Sequence, residues 1–459
     1  MVSTKSAEYL KYSPIWKKCR DIISGVDAVK NGGTSYLPQP SGMDKEEYKN
    51  GYLKRAEFFP ATSRTHEGLI GLANAKKMMR TIPENFEDYL ENVDGEGTTL
   101  DDFALHIFSD VIQTNYGGIL VDAPSTNEIS INEAEKMGLY PYMTFYPAEA
   151  IINVQTKTVN RNKIVTMVVL QETNNVPLPD DRFTVQPVTV YRVLELDKNG
   201  LYRQQIYNQQ EELVNTVYPL KKGKYMDYIP FYFTPDRTPS LPMLENLAET
   251  NLAWYRKSAD LENGLHWTGV PTPYSLGHNY QEGDEVIKLG GTQFVYFPAD
   301  VTQVGYLEFG GAGLSSLQEA MTNDENRMAM LGASILATDK RGVESYETTK
   351  MRKAGEDSVL ATFCNRISSA VSKAVKDFLE WTIGQDINDE VSVHINTDYD
   401  LNEMDASRLT SLISAWQTGG ISKQTLFNNL KKGEIIDAEK TFEQEQEEID
   451  EGGMVIPQL

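Results

Sequence analysis

The sequence predicts an α+β chain, and three observations carry that reading. Apolar residues recur with the helical period as far as about residue 140, then alternate as in strands to residue 207. Two helical stretches, 240–268 and 313–336, flank a segment rich in β-branched and aromatic side chains. Beyond them, 345–383 reads as one helix, about 58 Å long if straight.

Taken in order, residues 9–30 predict a helix with Ile15, Cys19, Ile22 and Ile23 on one side. The glycines and prolines of 31–40 then break the chain into an extended arm. Helical spacing returns over 46–59 and 65–79, the second with Leu69, Leu72 and Ala73 facing inward. Thr99 is placed to cap a helix carrying Phe103, Ile107 and Val111, which leads into a buried strand at 119–121. Strands follow at 150–154, 164–170, 188–196 and 201–207, with Asp197 to Gly200 as a hairpin turn.

The first of the two long helices starts at Ser240, a favourable N-cap, with Pro242 tolerated in the first turn. Leu244, Ala248, Leu252, Tyr255 and Ala259 form its apolar stripe, and Glu249, Arg256, Lys257 and Asp260 lie opposite. Pro271 and Pro273 stop it, because a proline inside a helix removes a hydrogen bond and clashes with the preceding turn. Three short strands are expected in the insert, at 285–289, 293–297 and 305–309. So small an element buries little core alone and must complete its packing against other copies. The returning helix follows the glycines of 310–313, with Ser315 and Gln318, or Ser316 and Glu319, as a capping box. Leu317, Met321, Met328, Leu331 and Ile335 make its stripe. A polar loop, 337–346, leads to the long helix, whose apolar positions from Val359 to Leu379 have bundle spacing, and Gly355 is a candidate kink. A strand at 391–395 is expected to rejoin the first domain's sheet. Helices at 406–416 and 422–431 follow, then a solvated stretch with six carboxylates in 443–451.

Composition narrows the function. The formal net charge is −23 and the isoelectric point about 4.7, the reverse of a protein that clamps nucleic acid by neutralising phosphates. Two cysteines, Cys19 and Cys364, exclude a disulfide framework and fit a reducing cytosol. No run approaches the 18 apolar residues of a membrane span, and residues 1–5 lack the apolar core of a signal peptide.

Catalytic constellations are absent from the sequence. The five histidines, at 66, 106, 266, 278 and 394, have no metal-ligand spacing. Asp122 ends a strand as nuclease aspartates do, but no second carboxylate sits at a helpful spacing, and a turn-forming role accounts for it. The glycine pairs 290–291 and 310–311 lack the Lys-Ser/Thr of a phosphate loop. Asp44 to Glu47, Asp101-Asp102 and Asp180-Asp181 read as loops and helix N-termini rather than acid/base pairs. Neither catalytic residue, metal ligand nor cofactor is expected.

Several stretches, in this order, resemble the portal proteins of tailed bacteriophages. They are Gly118-Ile-Leu-Val-Asp-Ala-Pro124, Tyr146-Pro-Ala-Glu-Ala-Ile-Ile-Asn153, and Ile229-Pro-Phe-Tyr-Phe233 leading into the Ser240 helix. Further on come Tyr306-Leu-Glu-Phe-Gly-Gly-Ala-Gly313, Glu325-Asn-Arg-Met-Ala-Met-Leu-Gly-Ala333 and Gly419-Gly-Ile-Ser422. The resemblance implies a wing over 1–239, stem helices at 240–268 and 313–336, and a clip at 269–312. It further implies a tunnel loop at 337–346, a long helix with a return strand at 347–400, and a crown with an acidic tail at 401–459. It implies a ring, commonly of twelve subunits, at one capsid vertex, assembled in the host cytoplasm. Double-stranded DNA is packaged and ejected through such a ring, whose partners are terminase, the head-tail adaptor and the major capsid protein, and no membrane.

By the same resemblance, Lys340 and Arg341 touch DNA from the tunnel loop, although by themselves they read as an ordinary exposed loop. Glu245, Glu249, Asp260 and Glu262, or Glu319, Asp324 and Glu325, are candidate linings of a channel that repels DNA, with the axis-facing stripe left open. Leu244, Leu252, Tyr255, Leu317, Met328 and Leu331 are candidates for packing between subunits. Two other readings stay open: a different non-enzymatic virion or scaffold protein, and a hydrolase with an unrecognised acidic site.

Overall fold

The computed structural model describes residues 1–124, 140–178, 181–269, 272–276, 302–307, 312–332, 346–388, 390–397, 406–417, 420–432, 435–436 and 440–451. The chain divides into two compact units, Met1–Thr397 and Asp398–Leu459.

In the first unit, α1 (Ala7–Ser24) starts at Ser6, whose hydroxyl oxygen accepts the Tyr9 N–H at 3.1 Å. Gly25, at φ +100°, ends it, and α2 (Val26–Asn31) begins afresh, so the single helix expected over 9–30 is two. Helical turns at Lys45–Glu47 and Leu53–Arg55 flank a π-helical turn, Tyr48–Tyr52, which turns both tyrosines into the core. Asp44 caps the first of these turns, accepting the Glu47 N–H at 2.8 Å. α3 (Ala61–Ala73) stops six residues short of the expected helix end, and β1 (Met79–Thr81) begins at that predicted end. α4 (Leu100–Thr114) is capped by Thr99 as expected, with Asp101 and Asp102 in its first turn, where they favour the helix dipole.

β2 (Gly117–Asp122) is buried throughout. β3 (Tyr142–Pro147) follows, then β4 (Ile151–Val159), β5 (Asn162–Leu178), β6 (Asp181–Leu196), β7 (Tyr202–Tyr207) and β8 (Leu213–Val217). These last five form one antiparallel meander, in the order β4-β5-β6-β7-β8. At its Asp197 turn the side chain accepts the Asn199 and Leu201 N–H groups at 2.8 and 2.9 Å, and Gly200 supplies the left-handed residue at φ +80°. A small hairpin, β9 (Leu220–Lys221) with β10 (Lys224–Tyr225), precedes β11 (Phe231–Thr234). β2 sits between β11 and β3 in a second sheet.

α5 (Glu245–Gly269), β12 (Thr272–Leu276), β13 (Gln303–Leu307), α6 (Ala312–Leu331) and α7 (Tyr346–Ile383) follow, then β14 (Ser392–His394). α5 begins five residues after Ser240, whose hydroxyl instead accepts the Asn115 side-chain amide at 2.7 Å. α6 begins at Ala312, so Ser315 and Ser316 lie within its first turns rather than at its cap. β14 pairs with β1 and joins neither larger sheet, because Ser372 and Ser368 of α7 accept the Val393 and Ile395 N–H groups and hold the strand along the helix. The buried side of α7, including Ile367, Val371, Val375 and Phe378, packs on β2 and β11. Its far end is tied to the β9–β10 hairpin. Lys221, almost fully buried, pairs with Asp377 and with Glu380 at 3.0 Å, and the Tyr228 hydroxyl donates to Asp377 at 2.6 Å.

The second unit holds α8 (Ala406–Gln417), α9 (Lys423–Lys432) and α10 (Phe442–Glu451). Ser422 caps α9, accepting the Thr425 N–H at 3.1 Å. The acidic stretch, expected as a solvated tail or helix end, is helical. Thr441 and Gln444 form a reciprocal capping box at its start, and Lys440 pairs with Glu445 and Glu448. Two of the strands expected in the insert, 285–289 and 293–297, lie outside the described residues, as do His278, Asp180 and Gly419.

Buried His66 is held neutral. Its Nε2 contacts the Ser109 carbonyl at 2.9 Å, and burial, the main influence, keeps the imidazole pKa below its ordinary value. The unfolded chain therefore binds a proton that the native chain does not, and the contribution of this group is present above about pH 6.5 and is lost as the pH falls. Urea titrations at pH 7.5 and 5.5 should show lower stability at the acid end, and His66→Gln should reduce that difference.

Candidate functional site

Asn251, fully buried in α5, fixes this helix to the N-terminal helices. Its side-chain oxygen accepts the Thr62 N–H and hydroxyl at 3.2 and 2.9 Å, and its amide donates to the Phe59 carbonyl at 2.8 Å. Ser258 donates to the Glu57 carbonyl at 2.6 Å, Arg256 to the Tyr36 carbonyl at 2.8 Å, and Arg55 to Asn263 at 2.7 Å. Between these polar ties Ala248, Leu252, Tyr255 and Ala259 enter one cluster with Cys19, Ile22, Tyr48 and Tyr52. The docked part of α5 thus ends near Asn263. Beyond it Leu265 and Trp267 are 43% and 47% exposed.

α6 returns along α5 in a fixed antiparallel register. Lys257 pairs with Asp324 at 2.5 Å and the Trp254 indole N–H donates to Glu325 at 3.0 Å. Small residues allow close approach at both ends. A Cβ added at Gly264 would lie 2.5 Å from Leu314, and one at Gly332 would lie 2.8 Å from Leu247. The strands that lie between these helices in the chain are also antiparallel, with Thr272 paired to Leu307 and Leu276 to Gln303. At 1.5 Å per residue the 25 residues of α5 span about 37 Å. Among the described residues β12 pairs with β13 alone, and Pro273 is tolerated on such an outer strand.

Most of the carboxylates proposed for a channel lining have partners within the chain. Glu245 and Glu249 both pair with Lys18 of α1. Burial disfavours the Lys18 charge, yet the two carboxylates hold its pKa above the ordinary value. Asp260 accepts the Tyr52 hydroxyl at 2.6 Å, and Asp324 and Glu325 hold the α5–α6 register. Among the described residues only Glu262, half-buried, and Glu319, exposed, have no such tie within this set. The apolar candidates divide likewise. Leu244, Leu252, Tyr255 and Met328 are buried inside one chain, Leu317 is half-buried, and Leu331 is 47% exposed beside Met330 at 74%. Lys340 and Arg341 lie outside the described residues.

Sequence reasoning did not find Lys18, Asn251, Trp254 or Lys257. Their partners are 67 or more positions away, beyond the reach of helical spacing. Asp122 is a member of a buried network: it accepts Gln204 at 2.8 Å and the Ala123 N–H at 2.9 Å, with Arg192 at 3.4 Å, and Arg192 also binds Glu172. Burial raises the pKa of its carboxyl despite that arginine. Among the described residues no three His, Cys, Asp or Glu side chains lie together as metal ligands, and no helix is long and apolar enough to cross a membrane.

Asn251→Ala would remove the acceptor of the buried Thr62 N–H and hydroxyl and one of the two donors to the Phe59 carbonyl. It should cost about 2–4 kcal/mol in urea unfolding, and Asn251→Leu should not recover the loss.

A family model described as a domain of unknown function, DUF4055, matches residues 242–382, from the approach to α5 to the end of α7. No curated protein matches the chain. Among solved structures the chain is similar to one from the virion of a native gene transfer agent particle, with a TM-score of 0.42 and 10% identity over 87% of this chain and 96% of that one. It is also similar to a chain from the neck of an empty particle computed with C6 symmetry, with a TM-score of 0.41 and 10% identity over 85% and 94%. A third is from the neck of a native particle computed with C12 symmetry, with a TM-score of 0.37 and 10% identity over 86% and 95%.

Proposed function

We propose that this chain is one subunit of a non-enzymatic ring at a capsid vertex, through which double-stranded DNA enters and leaves. The observation that carries the proposal is the antiparallel α5–α6 pair, held in register by Lys257 and Asp324, with the antiparallel β12–β13 ribbon between the two helices in the chain. One flank of α5 is consumed by docking, while the segment past Asn263 keeps Leu265 and Trp267 exposed. A rod anchored at one end, with apolar side chains left over, gains from lateral packing against copies of itself. The sequence resemblance to portal proteins supports the same assignment of stem, clip and tunnel loop.

In this ring the strand end of the hairpin meets terminase and later the tail adaptor, and the body of the chain meets the capsid shell. Double-stranded DNA carries a charge every 1.7 Å of its axis, so a lumen that presents unneutralised carboxylates does not hold it. Glu262 and Glu319 supply that charge. Glu245, Glu249, Asp260, Asp324 and Glu325 contribute less, since their charge is largely spent on partners in the chain. Lys340 and Arg341 make brief phosphate contacts, each weak because an exposed charge pair is worth about 0–1 kcal/mol.

Native mass spectrometry should find a closed ring, about 0.6 MDa if twelve chains of 51.6 kDa assemble. Leu331→Asp should leave the single chain folded and abolish that mass, because the side chain is already half exposed. Leu244→Asp should instead prevent folding, since it puts a charge on a site 3% exposed. A monomeric wild-type protein at micromolar concentration would end the proposal. Replacing Lys340 and Arg341 by alanine should preserve ring mass and alter the DNA packaged per particle; unchanged packaging removes both residues from the site.

A further inference from the structure

The hairpins at the two sides of the five-stranded sheet carry opposite charge near their turns, and among the described residues the outer strand of each pairs on one side only. At one side, residues 150–170 include Lys157, Arg161 and Lys163 and no carboxylate. All three side chains are exposed, and none has an ion-pair partner among the described residues. Arg237 brings a fourth cation to the same hairpin, donating to the Lys163 carbonyl at 2.9 Å. At the other side, residues 208–217 include Glu211 and Glu212 and no cation. Glu212 accepts from the neutral Asn208 side chain and keeps its charge, whereas Glu211 accepts from Ser3 and is partly offset by the N-terminal ammonium.

Each charged tip lies next to exposed aliphatic residues. Val159 and Ile164 are 39% and 38% exposed beside the cations, and Leu213 and Val214 are 51% and 65% exposed beside the carboxylates. The backbone edges are open as well. Ser6 and the Asn153 side chain engage only the start of β4, so positions 155–159 pair with β5 alone among the described residues, and β8 pairs with β7 alone. Both tips also place a charged residue in the left-handed region, Arg161 at φ +69° and Glu211 at φ +63°. Glycine or asparagine is favoured there, so the charge is kept at some conformational cost.

An open strand edge flanked by apolar side chains is a template for pairing with another chain. A closed ring of identical subunits needs two unlike surfaces on each copy, complementary to one another and far enough apart to lie on different neighbours. We infer that the basic β4–β5 hairpin of one copy seats against the acidic β7–β8 hairpin of the next. A second copy is the occupant because the charges on the two edges are complementary and both edges belong to every chain. This contact rests on the ring reading and adds to it an interface in the sheet, away from the α5–α6 shaft. Individual exposed pairs are weak, so the charges orient neighbours while the aliphatic residues and strand edges supply contact.

Charge reversal tests it on the full chain. Lys157→Glu, Arg161→Glu and Lys163→Glu together should weaken assembly about tenfold or more in native mass spectrometry at low salt, as should Glu211→Lys with Glu212→Lys. Combining all five substitutions should restore ring mass, with circular dichroism and thermal melting unchanged throughout. As a check that does not depend on charge, Lys163→Cys with Val214→Cys should form intermolecular disulfides under mild oxidation, giving a ladder of covalent oligomers on denaturing gels. Rings formed as readily by the triple variant as by wild type would overturn this contact alone. So would failure of the five-fold variant to recover or absence of the ladder. Wild-type protein that never forms rings would overturn the ring reading first.

Discussion

The α5–α6 pair depends on the docking of α5, and that docking depends on polar groups that are wholly or partly buried. Asn251 satisfies three buried partners at once, and Ser258 and Arg256 satisfy main-chain carbonyls that α5 would otherwise cover. An unmade hydrogen bond in such a place costs about 1–3 kcal/mol, so α5 has one acceptable depth and rotation against the N-terminal helices. The aliphatic cluster around Leu252 and Tyr255 adds affinity but tolerates small shifts. Once α5 is fixed, Lys257 and Trp254 set the register of α6.

The carboxylates show how far an acidic composition can mislead about a surface. From spacing alone, Glu245 and Glu249 lie one turn apart on the polar side of a helix, the pattern of a solvated or channel-facing stripe. In the fold Lys18 lies between them, and the stripe becomes a joint between α1 and α5. Asp324 is more extreme, a carboxylate only 6% exposed whose cation comes from the facing helix. A net charge of −23 constrains the sum over the surface and leaves open which acids are free.

Much of the architecture was legible because local rules and tertiary context agree. The Thr99 cap, the Asp197 turn, the end of α5 before Pro271 and the unbroken run of α7 are each dictated by residues within a few positions of the feature. Where reading failed, a remote partner decided. Ser240 has every property of a cap, but Asn115 takes its hydroxyl and the following carbonyl, and the helix starts later. β3, with its tyrosines and terminal proline, forms a strand because β2 presents an edge to it. The ribbon beyond Leu170 carries Asn174, Asn175, Pro177 and Pro187, poor strand formers, and its strand pairing is that of β5 with β6. The site fared worse than the fold for the same reason, since its ties cross 67 or more positions.

The two anchors around the segment that carries Lys340 and Arg341 differ in kind. α6 ends at Leu331, and the missing side chain of Gly332 just after it lets the backbone approach Leu247 and Thr65, so its position is set by steric contact with the docked end of α5. α7 is held from Leu360 onward by a continuous apolar side and, at its end, by Lys221 bridging Asp377 and Glu380. Removing one partner of a buried pair leaves an uncompensated charge, so that far end resists displacement more strongly than an exposed ion pair would.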